Sequence, residues 1–91
     1  WLDVREDDEW EAGHAPGAVH IKMRDLPEHL DEFRDGRRII VICRSGNRSG
    51  KVTAWLLNHG IDAVNMTGGM QVWERHGLPV VSANDAVGAV I

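Results

Sequence analysis

The sequence predicts an α/β fold with a parallel sheet flanked by helices on both faces, and three features carry that expectation. Short apolar stretches alternate with helical patterns along the chain, the order that a parallel sheet requires. The run "IIVIC", Ile39 to Cys43, is rich in β-branched residues and uninterrupted by polar ones, as suits a strand covered on both faces. Soon after it, "SGKVTAWLLNHG" puts Val52, Trp55 and Leu56 on one helical face and ends at Gly60, a natural C′ residue.

The other elements follow in order. "WLDV" reads as a short buried strand. "DDEWEAG" supplies an Asp cap, one or two helical turns and a terminating Gly13. "HAPGAVHI" is a Pro-Gly turn entering a strand around Val19 to Ile21. In "DLPEHLDEF", Asp25 and Glu28 have the spacing of a capping box and predict a helix. "RDGRR" turns into the Ile39 strand, and "DAVNM" is a further short strand. "TGGMQVWERHG" is a Gly-rich turn into a helix closed by Gly77, after which "LPVV" is expected to leave the domain. The end, "SANDAVGAVI", has weak helical character.

Ninety-one residues allow one domain with a core but not two. The apolar share of 43% and charged share of 26% are those of an ordinary soluble protein. No apolar run approaches the ~20 residues of a membrane span, and no signal peptide is visible. A net charge of −4 argues against general nucleic-acid binding, which needs a basic face. Acidic residues crowd the first third, whereas the stretch around Cys43 is locally basic. That contrast favours one small anion held at one place. A single cysteine makes no internal disulfide, so a reducing, cytoplasmic setting is expected. The chain opens without an initiator methionine and is expected to be a piece of a longer protein.

Cys43 falls where ligands collect in open α/β sheets, beyond the carboxyl end of a strand. A loop from Arg44 to Arg48 then enters a helix near Ser49. Gly46 permits a tight turn, and Asn47 tolerates the left-handed region such loops use. Successive backbone N–H groups there form an anion nest, the helix start adds roughly half a positive charge, and Arg44 and Arg48 add whole ones. An ordinary cysteine, with a pKa about 8.5, is only ~3% ionised at pH 7. All of these features favour the thiolate. The competing reading, a cysteine that is merely a small buried hydrophobe, explains neither the glycine loop nor the helix start.

At these residues the sequence resembles the rhodanese domain, a single-domain sulfurtransferase module. "LDVREDDEWEAGHAPGAVHI" is similar to the family's opening block, with Asp3, Arg5, Glu9, Gly13, His14, Pro16, Gly17 and Ala18 in place. "CRSGNRS" matches the active-site loop and "GGMQVWERHGLPV" the closing block. The resemblance implies a five-stranded parallel sheet over residues 1–81, with the family's preceding strand and helix missing and residues 82–91 a tail or linker. It implies that Cys43 takes the outer sulfur of a donor such as thiosulfate as a persulfide and passes it to a thiol, or to cyanide. By position, backbone N–H groups of Arg44, Ser45, Gly46, Asn47, Arg48 and Ser49 would cradle the sulfur, and the Arg44 and Arg48 side chains would hold the anion. The partners implied are a small anionic sulfur donor and a thiol acceptor, with a fused or separate sulfur-relay protein as an alternative. No cofactor is implied.

Other residues receive structural readings. Asp3 and Arg5 form a polar network near the opening strand, with Arg5 reaching Glu9. His14 and His20 tie the backbone around the Pro-Gly turn. Trp10, Trp55 and Trp73 pack at the core or its rim, and "TGGM" packs near the cysteine loop. Five histidines and one cysteine show no metal-ligand spacing, so no metal site is expected. Two further functions compete: a regulatory partner-binding module, and a cysteine-dependent phosphatase or arsenate reductase. Phosphatases of that kind place five residues between cysteine and arginine, whereas four separate Cys43 from Arg48.

Overall fold

Strand β3, Ile39–Ile42, is the spine of the fold, and its alternation divides the core. Val41 and Cys43 face one cluster, with Leu2, Val4, Leu26, Val52, Leu56, Ile61 and Ala63. Ile42 faces the other, with Ala15 and Met70. The computed structural model describes residues 1–84 and 86–91.

Around β3 stand β1 (Leu2–Asp3), β2 (Val19–His20) and β4 (Ala63–Asn65), in the order β2-β1-β3-β4 and all parallel. The register pairs Asp3 with Ile42 and Val41 with Asn65, which sets the carboxyl ends of three strands side by side. Helices cover both faces. The segment Met23–Phe33 and α2 (Asn47–Asn58) pack on one, and α3 (Gly69–Arg75) packs on the other.

Several expectations are corrected. The sheet has four strands among the described residues, not five. Residues after Pro79 make isolated antiparallel bridges, His14 with Val81 and Val81 with Val87, in place of a further parallel strand. The chain at Val81 and Val87 therefore folds back rather than leaving, and no helix forms among the described residues after Gly77. The N–H groups of Ala83 and Ala89 reach the carbonyls of Glu11 and Ala12, supplying donors that the end of a helix lacks.

Helix α1 (Asp7–Ala12) is capped by Glu6 rather than by an aspartate. Glu6 and Glu9 form the reciprocal capping box, and Gly13 ends the helix as expected. Met23–Phe33 winds as a 3-10 helix starting two residues ahead of Asp25. Pro27 inside it has no N–H to offer an α-helical ladder, yet Leu26, Leu30 and Phe33 still reach the core. Helix α2 begins at Asn47, two residues earlier than expected.

Asp3 and Arg5 do form a buried network, but Arg5 does not reach Glu9. Its Nε and Nη2 donate to both Asp3 oxygens at 2.8–3.1 Å, and Nη2 also donates to the Gly13 carbonyl at 2.7 Å. Both side chains are almost wholly buried. The pair thus ties the end of β1 to the turn after α1. His14 and His20 bond the carbonyls of Trp10 and Arg5, each at 2.8 Å, and both rings stack on Trp10.

Removing one partner of a buried pair leaves the other charge without compensation. Arg5→Met is therefore expected to cost about 3–5 kcal/mol in urea unfolding. A loss below about 1 kcal/mol would show that Asp3 is held by other means.

Candidate active site

Cys43 leaves β3 into a loop of three residues, Arg44 to Gly46, before α2 begins. The residue is 1% exposed, so the sulfur is recessed. The Gly46 N–H donates to Sγ at 3.0 Å, and the Ser49 hydroxyl lies 3.3 Å from it. Burial pushes the thiol pKa up, but hydrogen bonds from the Ser49 hydroxyl and the N–H groups of Ser49, Gly46 and Ser45 outweigh it, and the pKa is lowered. A buried cysteine without such donors would shift the other way.

The loop holds this shape through the other ends of its peptides. The carbonyls of Cys43 and Arg44 accept from Met70 and Gln71, the opening N–H groups of α3, at 2.8 and 2.9 Å. In a trans peptide C=O and N–H point in opposite directions. Anchoring the Arg44 carbonyl on α3 therefore turns the Ser45 N–H toward the sulfur. Two glycines make the approach possible. Gly46 has φ +98°, a region costly for other residues, so the left-handed position expected at Asn47 belongs to Gly46. Gly69 has φ +56°, and a Cβ there would stand 2.2 Å from the Cys43 carbonyl oxygen.

Of the residues singled out in the sequence, Ser45, Gly46 and Ser49 converge on Sγ, the first through its backbone. No hydrogen bond to the sulfur comes from the side chains of Arg44, Asn47 or Arg48. Arg48 donates from Nη1 and Nη2 to the two oxygens of Glu9, each at 2.7 Å. This bond, opposed by burial, lowers the Glu9 pKa, so the pair is intact at neutral pH and opens only as pH falls through that lowered value. Arg44 is exposed and turned away. Its Nε donates to the Ile91 carbonyl at 2.8 Å, and Gln71, with its amide oxygen facing it, accepts at 3.0 and 3.2 Å. Asn47 is an exposed first residue of α2.

Two contributors are not assigned to the site from the sequence: Asn65 is not singled out there, and Glu9 is expected to meet Arg5 instead. Asn65, at the carboxyl end of β4, accepts the Ser49 hydroxyl at 2.5 Å and donates to the Gly46 carbonyl at 3.1 Å. Its signal was a polar residue ending the strand beside the cysteine's. A hydroxyl has one proton, so Ser49 gives it to Asn65 or to Sγ, and ionisation of Cys43 favours the latter. The other is Glu9, whose bond to Arg48 spans 39 residues and has no local signature.

The fold and the loop define a class: a parallel α/β domain carrying one hydrogen-bonded cysteine at the end of its central strand. The chain belongs to the rhodanese-like domain family, whose model matches residues 1–76. It is 44% identical over 78 residues to the Bacillus subtilis (strain 168) protein YtwF, which carries a provisional sulfurtransferase name; the match covers 86% of this chain and 76% of that one. A protein named sulfurtransferase from Allochromatium vinosum is 37% identical, with 89% and 77% of the two chains covered. The crystal structure of a rhodanese-related protein from Thermoplasma volcanium superposes with a TM-score of 0.82 at 35% identity, over 88% of this chain and 80% of that one.

Gly69→Ala tests the coupling of loop and helix. The strained φ and the clash with the Cys43 carbonyl are expected to cost about 2–4 kcal/mol in urea unfolding. A loss under about 0.5 kcal/mol would mean that α3 does not fix the loop.

Proposed function

We propose that this domain is a rhodanese-type sulfurtransferase in which Cys43 carries the transferred sulfur. The observation that carries the reading is the sulfur itself, recessed at the end of β3 and met by the Gly46 N–H and the Ser49 hydroxyl. Donors aimed at that point stabilise negative charge on whatever sulfur occupies it. The names of the relatives support the same reading.

The chemistry is a double displacement. The Cys43 thiolate attacks the outer sulfur of a sulfane donor. With thiosulfate, the new S–S bond forms as the donor's S–S bond breaks, giving Cys43–S–S⁻ and releasing sulfite with the bonding pair. An acceptor thiolate then attacks the terminal sulfur, leaves as its own persulfide and restores the Cys43 thiolate. Cyanide does the same and leaves as thiocyanate. The Gly46 N–H and Ser49 hydroxyl that meet Sγ favour negative charge at the end of β3, where the thiolate must be regenerated after each transfer.

The phosphatase reading is disfavoured by a specific contact. Such an enzyme needs its loop arginine on the phosphate, and here Arg48 is committed to Glu9 through both terminal nitrogens.

Incubation with a sulfane donor is expected to add ~32 Da to the intact protein, one sulfur atom, removable by cyanide or a reducing thiol. Cys43→Ser is expected to lose the adduct and to bring donor-to-cyanide transfer to background. An adduct that survives in Cys43→Ser, or phosphatase turnover without any adduct, would overturn the assignment.

A further inference from the structure

Resting on the sulfur-transfer reading, we propose that Glu9 sets donor choice at Cys43. By holding Arg48 in a two-pronged ion pair, it withholds that cation from a doubly charged donor, so the site takes sulfane sulfur from an uncharged hydropersulfide, R–S–SH, in preference to thiosulfate.

The geometry of the pair is that of a preformed clamp. Both Arg48–Glu9 contacts are 2.7 Å, the fork-to-fork arrangement that makes arginine–carboxylate bonds strong and directional. Glu9 is itself pinned, because the same Oε1 accepts the Glu6 N–H at 3.0 Å as part of the capping box of α1. Its side chain is only 13% exposed. An anion arriving at the loop must therefore compete with an anchored carboxylate for the guanidinium. Arg48 stands in the first turn of α2 directly before Ser49, whose hydroxyl lies 3.3 Å from the sulfur; its charged form is favoured first by the Glu9 bond, against burial, and to a smaller degree by the charges of Glu9 and Cys43. It is thus placed to help an anionic donor and held from doing so. The loop's other arginine gives no substitute, since Arg44 is bound to the Ile91 carbonyl and to Gln71.

Charge counting connects this arrangement to the donor. Cys43–S⁻ with thiosulfate brings three negative charges together and yields Cys43–S–S⁻ and sulfite, again three. Cys43–S⁻ with R–S–SH, the protonated and electrophilic form of a persulfide that is otherwise ionised near neutral pH, carries one negative charge throughout. The thiolate forms a bond to the outer sulfur, the proton stays on that sulfur, and RS⁻ leaves with the electron pair. Backbone N–H groups and one hydroxyl suffice for a single charge. Three charges need a cation, because like charges at a few Å repel strongly where water is sparse.

Glu9→Gln separates charge from structure, since glutamine still accepts the Glu6 N–H in the capping box. Two readouts are compared between the parent protein and the variant: kcat/KM with thiosulfate and with cysteine hydropersulfide, and protection of Cys43 from alkylation by sulfate, an inert dianion. The ratio of kcat/KM for thiosulfate to that for the hydropersulfide is expected to rise about tenfold or more, the scale of a freed charge-assisted bond. Sulfate protection should tighten by a similar factor, and both gains should vanish in Glu9→Gln/Arg48→Ala. Sulfate protection that stays unchanged in Glu9→Gln, or gains that persist without Arg48, would overturn the proposal. Failure of both donors to sulfurate Cys43 would sink the sulfur-transfer reading instead, and the sulfate measurement would still decide the role of Glu9.

Discussion

The site depends on two backbone hydrogen bonds that do not touch the sulfur. Met70 and Gln71, at the start of α3, hold the carbonyls of Cys43 and Arg44. Because each peptide is planar, fixing its oxygen fixes the direction of its N–H, and anchoring the Arg44 carbonyl leaves the Ser45 N–H facing Sγ. The remaining features follow from this constraint. Gly69 must lack a Cβ to let α3 approach, Gly46 must take a positive φ to close the turn, and α2 must begin at Asn47 so that Ser49 falls within its first turn, beside the sulfur. Asn65 completes the ring from β4 by bonding both Ser49 and Gly46.

The electrostatics are therefore those of fixed dipoles more than of whole charges. Three arginines lie in or near the site, and each has a structural commitment. Arg5 is buried against Asp3 and Gly13, Arg44 is bound to Ile91 and Gln71, and Arg48 is bound to Glu9. Preorganised N–H groups need no reorientation when negative charge develops on the sulfur. The Glu9–Arg48 pair adds stiffness, because it links α1 to the first turn of α2 and shares its carboxylate with the α1 cap.

Local patterns made much of this legible. The β-branched run to Ile42 gave the central strand, Val52 and Leu56 gave the buried face of α2, and Gly60 and Gly77 marked helix ends through their positive φ. Cys43 stood out because a strand end, a glycine and a helix start adjoin it in sequence. What stayed hidden was non-local. The partner of Arg48 lies on α1 and that of Ser49 on β4, and the charge of an arginine in a sequence says nothing of where its fork is anchored. The expected start of α2 falls two residues late for a local reason: the left-handed residue is Gly46, so the helix begins at once with Asn47. The placement of Val81, Ala83 and Ala89 against the end of α1 is set by groups that only the fold brings near.

The central claim is that hydrogen bonds from backbone N–H groups and the Ser49 hydroxyl, more than arginine charge, lower the Cys43 pKa. A pH titration of the folded protein's thiolate absorbance, run at low and at high salt, tests it most directly. Below the midpoint the thiol dominates and above it the thiolate. The account predicts a midpoint below the ordinary value of about 8.5, essentially unmoved by salt, because recessed hydrogen bonds are poorly screened. A midpoint at or above that value would mean that burial prevails. A low midpoint that climbs as salt is added would mean that exposed cations do the holding, and either result would contradict the account.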